Sequence, residues 1–194
     1  EARGDVALTY FEFSALAALY CMAQAQVDVA ILEIGLGGRL DAFNAIDPDI
    51  AVITSIGLDH QAFLGDTREA IGAEKAGILR SGQHVVLGQN MPSSVLQRCE
   101  ELSLKPRCWG TDFSSASDID QGTWQLSRQS QASLEIPLTA IAPHNIALAC
   151  EAVADMVELD LDLIAKCSAA YMPGRMDIRQ TKDRMWILDV CHNP

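Results

Sequence analysis

The feature that most constrains the fold is a pair of short, nearly continuous apolar runs, each followed by a polar or glycine-rich loop. The first, Val27 to Ile34 (VDVAILEI), leads into Gly35 to Arg39, and the second, Ile50 to Ile56 (IAVITSI), leads into Gly57 to Asp66. Runs of this kind are typical of strands covered on both faces, as in parallel sheets. The sequence therefore predicts an α/β fold with a mostly parallel sheet covered by helices.

Helical patterns and further short strands surround these two runs. A third short strand is predicted at Val85 to Leu87, and a final strand pair at Arg175 to Arg179 and Met185 to Val190. Helices are predicted at Tyr10 to Gln26 (mostly buried, with Thr9 as N-cap), Thr67 to Leu79 (with Thr67 as N-cap), Ser93 to Ser103, Asn145 to Met156 and Leu161 to Ala170.

The pattern of the sequence changes between Lys105 and Leu138. Short strand-like pieces, such as Thr123 to Leu126 and Ser133 to Ile136, alternate there with Ser, Asp, Gly and Gln. Turn residues between short β-prone runs are typical of antiparallel strands. We expect a small antiparallel β flap on the main sheet.

Composition narrows the function classes. The chain has 14 Lys and Arg residues against 26 Asp and Glu, a formal net charge of −12, which argues against binding nucleic acid or anionic membrane through a basic surface. The longest weakly polar stretch, Phe13 to Ala25, is too short to span a bilayer, and no segment resembles an export signal. The 6 cysteines lack CxxC spacing and fit neither a zinc site nor a disulfide framework. We expect a cytoplasmic protein with reduced thiols.

Polar side chains follow both apolar runs, where ligands bind in open α/β sheets. Glu33 ends the first run, and a carboxylate there needs a metal, a base or water; solvation by the adjacent loop, which also carries Arg39, Asp41 and Asn44, explains it equally well. Asp59 and His60 follow the second run. Glu33 and His60 would suit a divalent cation completed by water or phosphate oxygens, and an ordinary hydrogen-bonded loop is the simpler alternative.

Three more polar positions have both a functional and an ordinary explanation. Lys75 could serve a site if burial or modification removed its charge, whereas a surface pair with Glu74 is the usual explanation. Arg175 and Asp189, at the margins of the last strands, suit phosphate and a ribose, or form a surface salt bridge. The Gly35 to Gly38 loop has neither Rossmann nor Walker spacing, so it predicts no phosphate cradle.

Taken together, six motifs resemble the folylpolyglutamate synthase/dihydrofolate synthase family, the folate branch of the Mur ligase superfamily, and in particular its bifunctional bacterial type. They follow that family's order and spacing and cover nearly the whole chain. The motifs are TYFEF (Thr9 to Phe13), LEIGLGGRLDAFN (Leu32 to Asn44), TSIGLDHQAFLGD (Thr54 to Asp66), EKAGI (Glu74 to Ile78), MPGRMD (Met172 to Asp177) and LDVCHNP (Leu188 to Pro194).

The resemblance implies an ATP-dependent amide ligase that joins L-glutamate to dihydropteroate, to tetrahydrofolate, or to both. The folate-side carboxylate attacks the γ-phosphate of ATP to give an acyl phosphate, which the amine of glutamate then attacks. Mg²⁺ and a few cations neutralise the triphosphate. On this resemblance Glu33 and His60 are the Mg²⁺ ligands, and Lys75, in its N-carboxylated form, and His60 are catalytic.

The resemblance also assigns the substrate-binding residues. Asn145 would contact adenine, Arg175 the phosphates and Asp189 the ribose side of ATP, while His192 lies in the HNP signature. The pteroate pocket would be lined by Thr9, Tyr10, Phe11, Glu12, Leu40, Asp41 and Ala42, with Phe11 stacked on the pterin and Asp41 bonded to its nitrogens. Two positions depart from the family: Phe43 replaces the common Thr, and the His144-Asn145 context differs from HQxxNA.

The family's GTNGKGS-type P-loop and its C-terminal domain have no counterpart in these 194 residues. The resemblance therefore implies that residues 1–190 form part of a central ATP-binding domain, with a small β subregion at about 105–138, and that residues 191–194 begin the linker to a glutamate-binding domain. We expect this piece to lack ligase activity by itself and to self-associate, and its parent to be a monomer. The alternatives are a Mur-type peptidoglycan ligase and a non-catalytic paralogue or binding module.

Overall fold

A three-stranded parallel sheet lies at the centre of the fold. The computed structural model describes residues 4–129 and 131–190. In this sheet β1 (Ile50–Ile53), β2 (His84–Leu87) and β3 (Arg107–Cys108) lie side by side in that order, all parallel. The apolar residues of β2 are fully buried, as expected for a strand covered on both faces. The predicted parallel sheet is confirmed, although β1 ends at Ile53 rather than Ile56.

Helices cover both faces of the parallel sheet, because alternate strand residues point to opposite sides. On one face Ala51 and Val85 belong to a core with α3 (Arg68–Ala76) and α4 (Ser93–Glu101). On the other face Val86 packs with α5 (Pro143–Val153). The helices predicted in these places are confirmed with slightly different bounds. A short helix, α2 (Gln61–Leu64), interrupts the stretch predicted to be a polar loop.

A second, antiparallel sheet forms the predicted flap. It consists of β4 (Phe113–Asp118), β5 (Thr123–Arg128) and β6 (Leu134–Pro137), in that order. Its apolar face, which includes the fully buried Trp124, packs with α5 and α6 (Leu161–Ser168) into one core. The antiparallel subregion is thus confirmed. Arg107 and Cys108, within the range predicted for the flap, instead extend the parallel sheet as β3.

The first helix, α1 (Tyr10–Ala25), begins as predicted but is not buried as predicted. Thr9 accepts a hydrogen bond from the Glu12 N–H at 3.2 Å, and the Thr9 N–H donates to the Glu12 carboxylate at 2.7 Å, which together form a capping box. Among the residues of α1, Ala15 alone is buried. No helix in the described part of the chain is long and apolar enough to cross a membrane.

The predicted strand at Val27 to Ile34 is wrong for this structure, because the segment has no strand conformation. Val29 is 56% exposed and Ile31 is 89% exposed. A strand exists only when a neighbour completes its hydrogen-bond ladder, and within residues 4–129 and 131–190 no strand pairs with this segment. The apolar pattern of residues 27–34 is that of a strand buried on both faces, but the described residues do not bury it.

The last described element is a two-stranded antiparallel hairpin, as predicted. It pairs β7 (Asp177–Gln180) with β8 (Met185–Leu188), and Asp177 lies opposite Leu188. Every residue of β8 is exposed, and Asp177 is the buried residue of β7. The interpretation of residues 191–194 as the start of a linker, and His192 with it, lies outside the described residues.

Candidate functional site

The glycine loop at residues 35–38 contacts the backbone of α3. A Cβ atom on Gly38 would lie 2.7 Å from the carbonyl oxygen of Glu74 and 3.0 Å from the Cα of Lys75. The N–H of Arg39 donates to the same Glu74 carbonyl at 2.9 Å. Only glycine permits so close an approach at this point. The loop that follows Glu33 is therefore seated on the helix turn that carries Lys75.

The same loop also contacts the short helix that follows His60. A Cβ atom on Gly37 would lie 2.8 Å from Cδ2 of Leu64, in α2. His60 is the residue directly before α2 and has a left-handed backbone, with φ of 50°. The two glycine contacts thus gather, around one loop, the segments that carry the three predicted metal-binding and catalytic residues: Glu33, His60 and Lys75.

Substituting Gly38→Ala is expected to push the loop off α3 and to lower the free energy of unfolding by about 1–3 kcal/mol, the usual cost of overpacking. The new methyl group would meet backbone atoms of Glu74 and Lys75, which cannot rotate away. Chemical denaturation measures the loss. Gly57→Ala is the matched control, since a Cβ there meets nothing within 4 Å. Equal stability of the two variants would contradict the proposed seating of the loop.

Asp41 holds the glycine loop in shape. Its Oδ2 accepts the N–H groups of Gly35 at 2.9 Å and Leu36 at 3.1 Å, and its Oδ1 accepts the N–H of Phe43 at 3.0 Å. It thereby caps the 3₁₀ turn Ala42–Ala45. Both carboxylate oxygens already accept backbone hydrogen bonds, so the pterin contact predicted for Asp41 must use their remaining lone pairs.

Arg80, a half-buried residue that sequence reasoning missed, anchors the segment that follows this loop. The Arg80 Nε donates to Asp47 at 2.6 Å, and its Nη2 donates to the Asn44 side-chain oxygen at 3.1 Å. Asn44 in turn donates to the Gly77 carbonyl at 3.2 Å. Arg80 lies outside every motif of the family resemblance, and the only signal for it was a charge close after a helix. These bonds tie residues 44–47 to the end of α3.

The predicted pteroate-pocket residues come from two places that the structure brings together. The rings of Phe11, in α1, and Phe43 lie 5.8 Å apart and perpendicular to each other. A Cβ atom on Gly35 would lie 2.7 Å from Cζ of Phe11, so the Phe11 ring lies against the glycine loop. Tyr10 and Leu40 are both strongly exposed. Phe43, which departs from the family pattern, supports the ring predicted to stack on the pterin.

Two of the charged groups predicted to act at the site, Glu33 and Lys75, have no side-chain partner among the described residues. Glu33 is exposed and Lys75 is half-buried, and within the described residues neither side chain makes a hydrogen bond or ion pair. The His60 Nε2 lies 3.7 Å from the Asp59 carboxylate. The described residues contain no group of three or more His, Cys, Asp or Glu side chains placed to hold a metal. A cation bound by Glu33 and His60 would therefore need further ligands from substrate or water.

Of the residues predicted to bind ATP, two share the last hairpin. Arg175 lies in the turn before β7, and Asp189 directly follows β8. The Oδ2 of Asp189 accepts the N–H of Met176 at 2.8 Å, so this carboxylate holds the turn that carries Arg175. The Arg175 side chain is exposed and makes no hydrogen bond or ion pair among the described residues. Asn145 is exposed in the first turn of α5.

Sequence reasoning also missed a buried carboxylate on α5. Glu151 accepts hydrogen bonds from Arg107 Nη1 at 3.0 Å and Arg128 Nε at 2.8 Å. Arg107 reaches Asp155 as well, at 2.7 Å, and this contact holds the pKa of the Asp155 carboxyl below its ordinary value. The three charged residues Arg107, Arg128 and Glu151 come from β3, β5 and α5. The cluster joins the flap to the parallel sheet and lies outside the predicted site.

The chain belongs to the Mur ligase family, since a model of the Mur ligase middle domain matches residues 9–154. It is 43% identical to the dihydrofolate synthase/folylpolyglutamate synthase of Escherichia coli K12, over 100% of this chain and 46% of that protein. The enzyme of the same name from Haemophilus influenzae is 48% identical over 70% of this chain and 32% of that protein. The chain thus spans less than half the length of these relatives.

Solved structures of such proteins share the fold. E. coli FolC in complex with DHPP and ADP matches with a TM-score of 0.89 at 40% identity, over 99% of this chain and 46% of that one. The bifunctional folylpolyglutamate synthase/dihydrofolate synthase of Yersinia pestis, complexed with AMPPNP and Mn ion, matches with a TM-score of 0.87 at 39% identity, over 98% and 46%. The resemblance inferred from the sequence motifs is confirmed.

Proposed function

We propose that the protein to which this chain belongs is an ATP-dependent ligase that joins L-glutamate to dihydropteroate, to tetrahydrofolate, or to both. The observation that carries the proposal is the convergence of the Glu33, His60 and Lys75 segments on one glycine loop. Its support is the match to a FolC structure in complex with DHPP and ADP. The folate names of the relatives argue against a peptidoglycan ligase, and the retained charged residues argue against a non-catalytic paralogue.

The proposed reaction has two steps, and the chain's own residues contribute to each. The folate-side carboxylate attacks the γ-phosphate of ATP and releases ADP, and the amine of glutamate then displaces phosphate from the acyl phosphate. Both steps place negative charge on phosphoryl oxygens, which pre-placed cations stabilise. Arg175, exposed and without a partner in the described residues, is the proposed contact to those oxygens, with Asn145 at the adenine and Asp189 at the ribose side.

The donor chemistry at the glycine loop fits a divalent metal. A carboxylate from Glu33 and an imidazole from His60 are ligands that divalent cations accept, and the glycine contacts gather the segments that carry them. When bound, Mg²⁺ would neutralise charge on the triphosphate. Lys75, half-buried and unpaired among the residues that the structure describes, is the proposed site of N-carboxylation, which would convert a cation beside the metal into an anion.

We propose that the pteroate portion lies beside the Phe11 and Phe43 rings. The perpendicular contact between them orients the Phe11 ring, and a face of that ring is the proposed stacking surface for a pterin. The other proposed pocket residues flank it on α1 and the 3₁₀ turn: Thr9, Tyr10, Glu12, Leu40, Asp41 and Ala42. Thr9 and Glu12 also form the α1 capping box, so their substitution would disturb the helix start as well.

The domain assignment is part of the same proposal. Residues 1–190 would form part of the central ATP-binding domain, with the β subregion at about 105–138, and residues 191–194 would lead toward a glutamate-binding domain. The remaining half of the relatives' length has no counterpart in this chain, so we propose that the chain binds ATP weakly and does not ligate by itself. A cytoplasmic location and a monomeric parent complete the proposal.

A chimera tests the function most directly. In it, the matched segment of E. coli FolC is replaced by this 194-residue chain, which aligns over 99% of its own length. The chimera should form ADP over many turnovers only when L-glutamate is present together with dihydropteroate or tetrahydrofolate, because glutamate must consume the acyl phosphate. A folded chimera that forms no ADP under conditions where E. coli FolC does would contradict the proposed function. Circular dichroism establishes folding.

The chain by itself is expected to self-associate. The apolar segment 27–34 is exposed and unpaired within the described residues, and large exposed apolar patches favour association. Sedimentation velocity should show species heavier than a monomer, and Ile31→Lys should reduce them. Ile119→Lys is the matched control, since Ile119 is equally apolar and 83% exposed but lies at a turn of the flap. A stable monomer at all concentrations would contradict the expectation.

A further inference from the structure

Asp177, the last residue of the MPGRMD motif, is a carboxylate to which the family resemblance gives no role. It is 4% exposed. Its Oδ2 accepts the hydroxyl of Tyr171 at 2.9 Å, and its Oδ1 accepts the Nε of Arg179 at 2.7 Å, with the Nη2 of Arg179 at 2.9 Å from Oδ2. The guanidinium of Arg179 also lies over the Tyr171 ring, 5.9 Å from its centroid. A buried carboxylate thus organises a hairpin whose other residues are mostly exposed.

The turn that these groups surround carries Arg175. Gly174 has φ of 71° and Met176 has φ of 45°, so Arg175 stands between two left-handed residues. A left-handed methionine is strained and persists only where neighbouring contacts fix it. The Gly174 carbonyl accepts the N–H of Val190 at 2.9 Å, and the N–H of Arg175 donates to the Met172 carbonyl at 3.2 Å.

Two carboxylates therefore brace the turn from its two sides. Asp177 accepts the Tyr171 hydroxyl, which lies before Arg175 in the chain, and Asp189 accepts the Met176 N–H, which lies after it. The hydrogen bonds to Asp177, first those from Arg179, hold the pKa of its carboxyl below its ordinary value, so it stays ionised near neutral pH. Among the described residues, Asp177 forms its ion pair with Arg179 rather than with Arg175.

We propose that Asp177 is a positioning residue that fixes the Gly174 to Met176 turn so that the Arg175 guanidinium faces the nucleotide phosphates. The inference rests on the proposed function, which gives Arg175 its ligand. Arg179 and Tyr171 act through Asp177 as its charge partner and its hydroxyl donor. The Arg175 side chain makes no hydrogen bond or ion pair within residues 4–129 and 131–190, which leaves it available for an anion.

The test uses the 194-residue chain and MgADP as the probe, with binding followed by NMR chemical shifts. Asp177→Asn is expected to weaken MgADP binding about fivefold to tenfold and to speed amide hydrogen exchange at residues 174–176. Arg175→Ala should weaken binding by at least as much, and adding Asp177→Asn to it should cause no further loss. Asp177→Glu should restore part of the affinity. Arg184→Ala, an exposed arginine of the same hairpin, should leave binding unchanged.

The possible outcomes distinguish a failure of this inference from a failure of the proposed function on which it rests. If the unmodified chain does not respond to millimolar MgADP, or if Arg175→Ala leaves affinity unchanged, the nucleotide role of Arg175 is wrong and the inference is overturned with it. If Arg175→Ala weakens binding and Asp177→Asn does not, the inference alone is overturned. Should Asp177→Asn fail to fold, Tyr171→Phe decides, since loss of one donor to Asp177 must weaken binding measurably and less than Arg175→Ala does.

Discussion

Replacing Lys75 by Ala in the chimera is expected to lower ligase turnover by about a hundredfold to a thousandfold, the loss typical when one pre-placed group at a developing charge is removed. Lys75 is half-buried, and its Cα lies against the glycine loop. Its side chain has no partner among residues 4–129 and 131–190. A group so placed, with no structural bond to lose, should affect the reaction far more than the fold. Rates of ADP formation measure the effect.

Two comparisons make the Lys75 result specific. Lys166→Ala is the matched control, since Lys166 is exposed and pairs with Asp162 one helical turn away, and its loss should leave turnover unchanged. If Lys75 acts as a carbamate, short carboxylic acids such as formate should restore part of the activity of Lys75→Ala. Unchanged turnover in Lys75→Ala would contradict its catalytic assignment.

Substituting Glu151→Ala is expected to lower the free energy of unfolding by about 3 kcal/mol, near the low end for removing one partner of a buried charge cluster, because Arg107 is partly exposed. The substitution leaves the guanidinium groups of Arg107 and Arg128 without the carboxylate they share. For a chain of this size the midpoint of thermal unfolding should fall by roughly 6–12 °C. Urea denaturation gives the free energy, and a thermal scan gives the midpoint.

Glu158→Ala provides the control for this experiment. Glu158 follows the same helix, is exposed, and makes no ion pair within the described part of the chain, so its loss should change stability by less than about 0.5 kcal/mol. A Glu151→Ala chain as stable as Glu158→Ala would show that the cluster does not join the flap to the parallel sheet. The stability of Glu151→Gln should lie between those of the two alanine variants, because the glutamine amide oxygen can still accept a hydrogen bond.

Local sequence patterns were enough to predict most helices and strands whose packing partners lie within this chain. The short run Val85 to Leu87 predicts β2, and β2 pairs with β1 and β3 in the structure. The N-caps Thr9 and Thr67 were recognised because capping is decided within one helical turn. The segment 27–34 has an equally clear pattern, yet strand formation depends on a ladder partner that periodicity does not report.

For the candidate site, too, the sequence predicted some features and not others. Motif order located Glu33, His60 and Lys75, but it is the close approaches at Gly37 and Gly38 and the neighbouring backbone hydrogen bond that show their segments to meet. Bonds between distant side chains, such as those of Arg80 with Asn44 or of Glu151 with two arginines, leave no periodic trace in the sequence. The structural role of Asp41 was likewise hidden, because its partners are backbone N–H groups of a loop.

Mass spectrometry of the products formed by the chimera shows whether glutamate is added to a folate substrate. We expect dihydropteroate or tetrahydrofolate, incubated with ATP, Mg²⁺ and L-glutamate, to be converted to a species heavier by one glutamyl unit, with one ADP formed per product. The conversion should be lost in Lys75→Ala and kept in Lys166→Ala. A folded chimera that binds ATP and yields no glutamylated product would contradict the proposed ligase function.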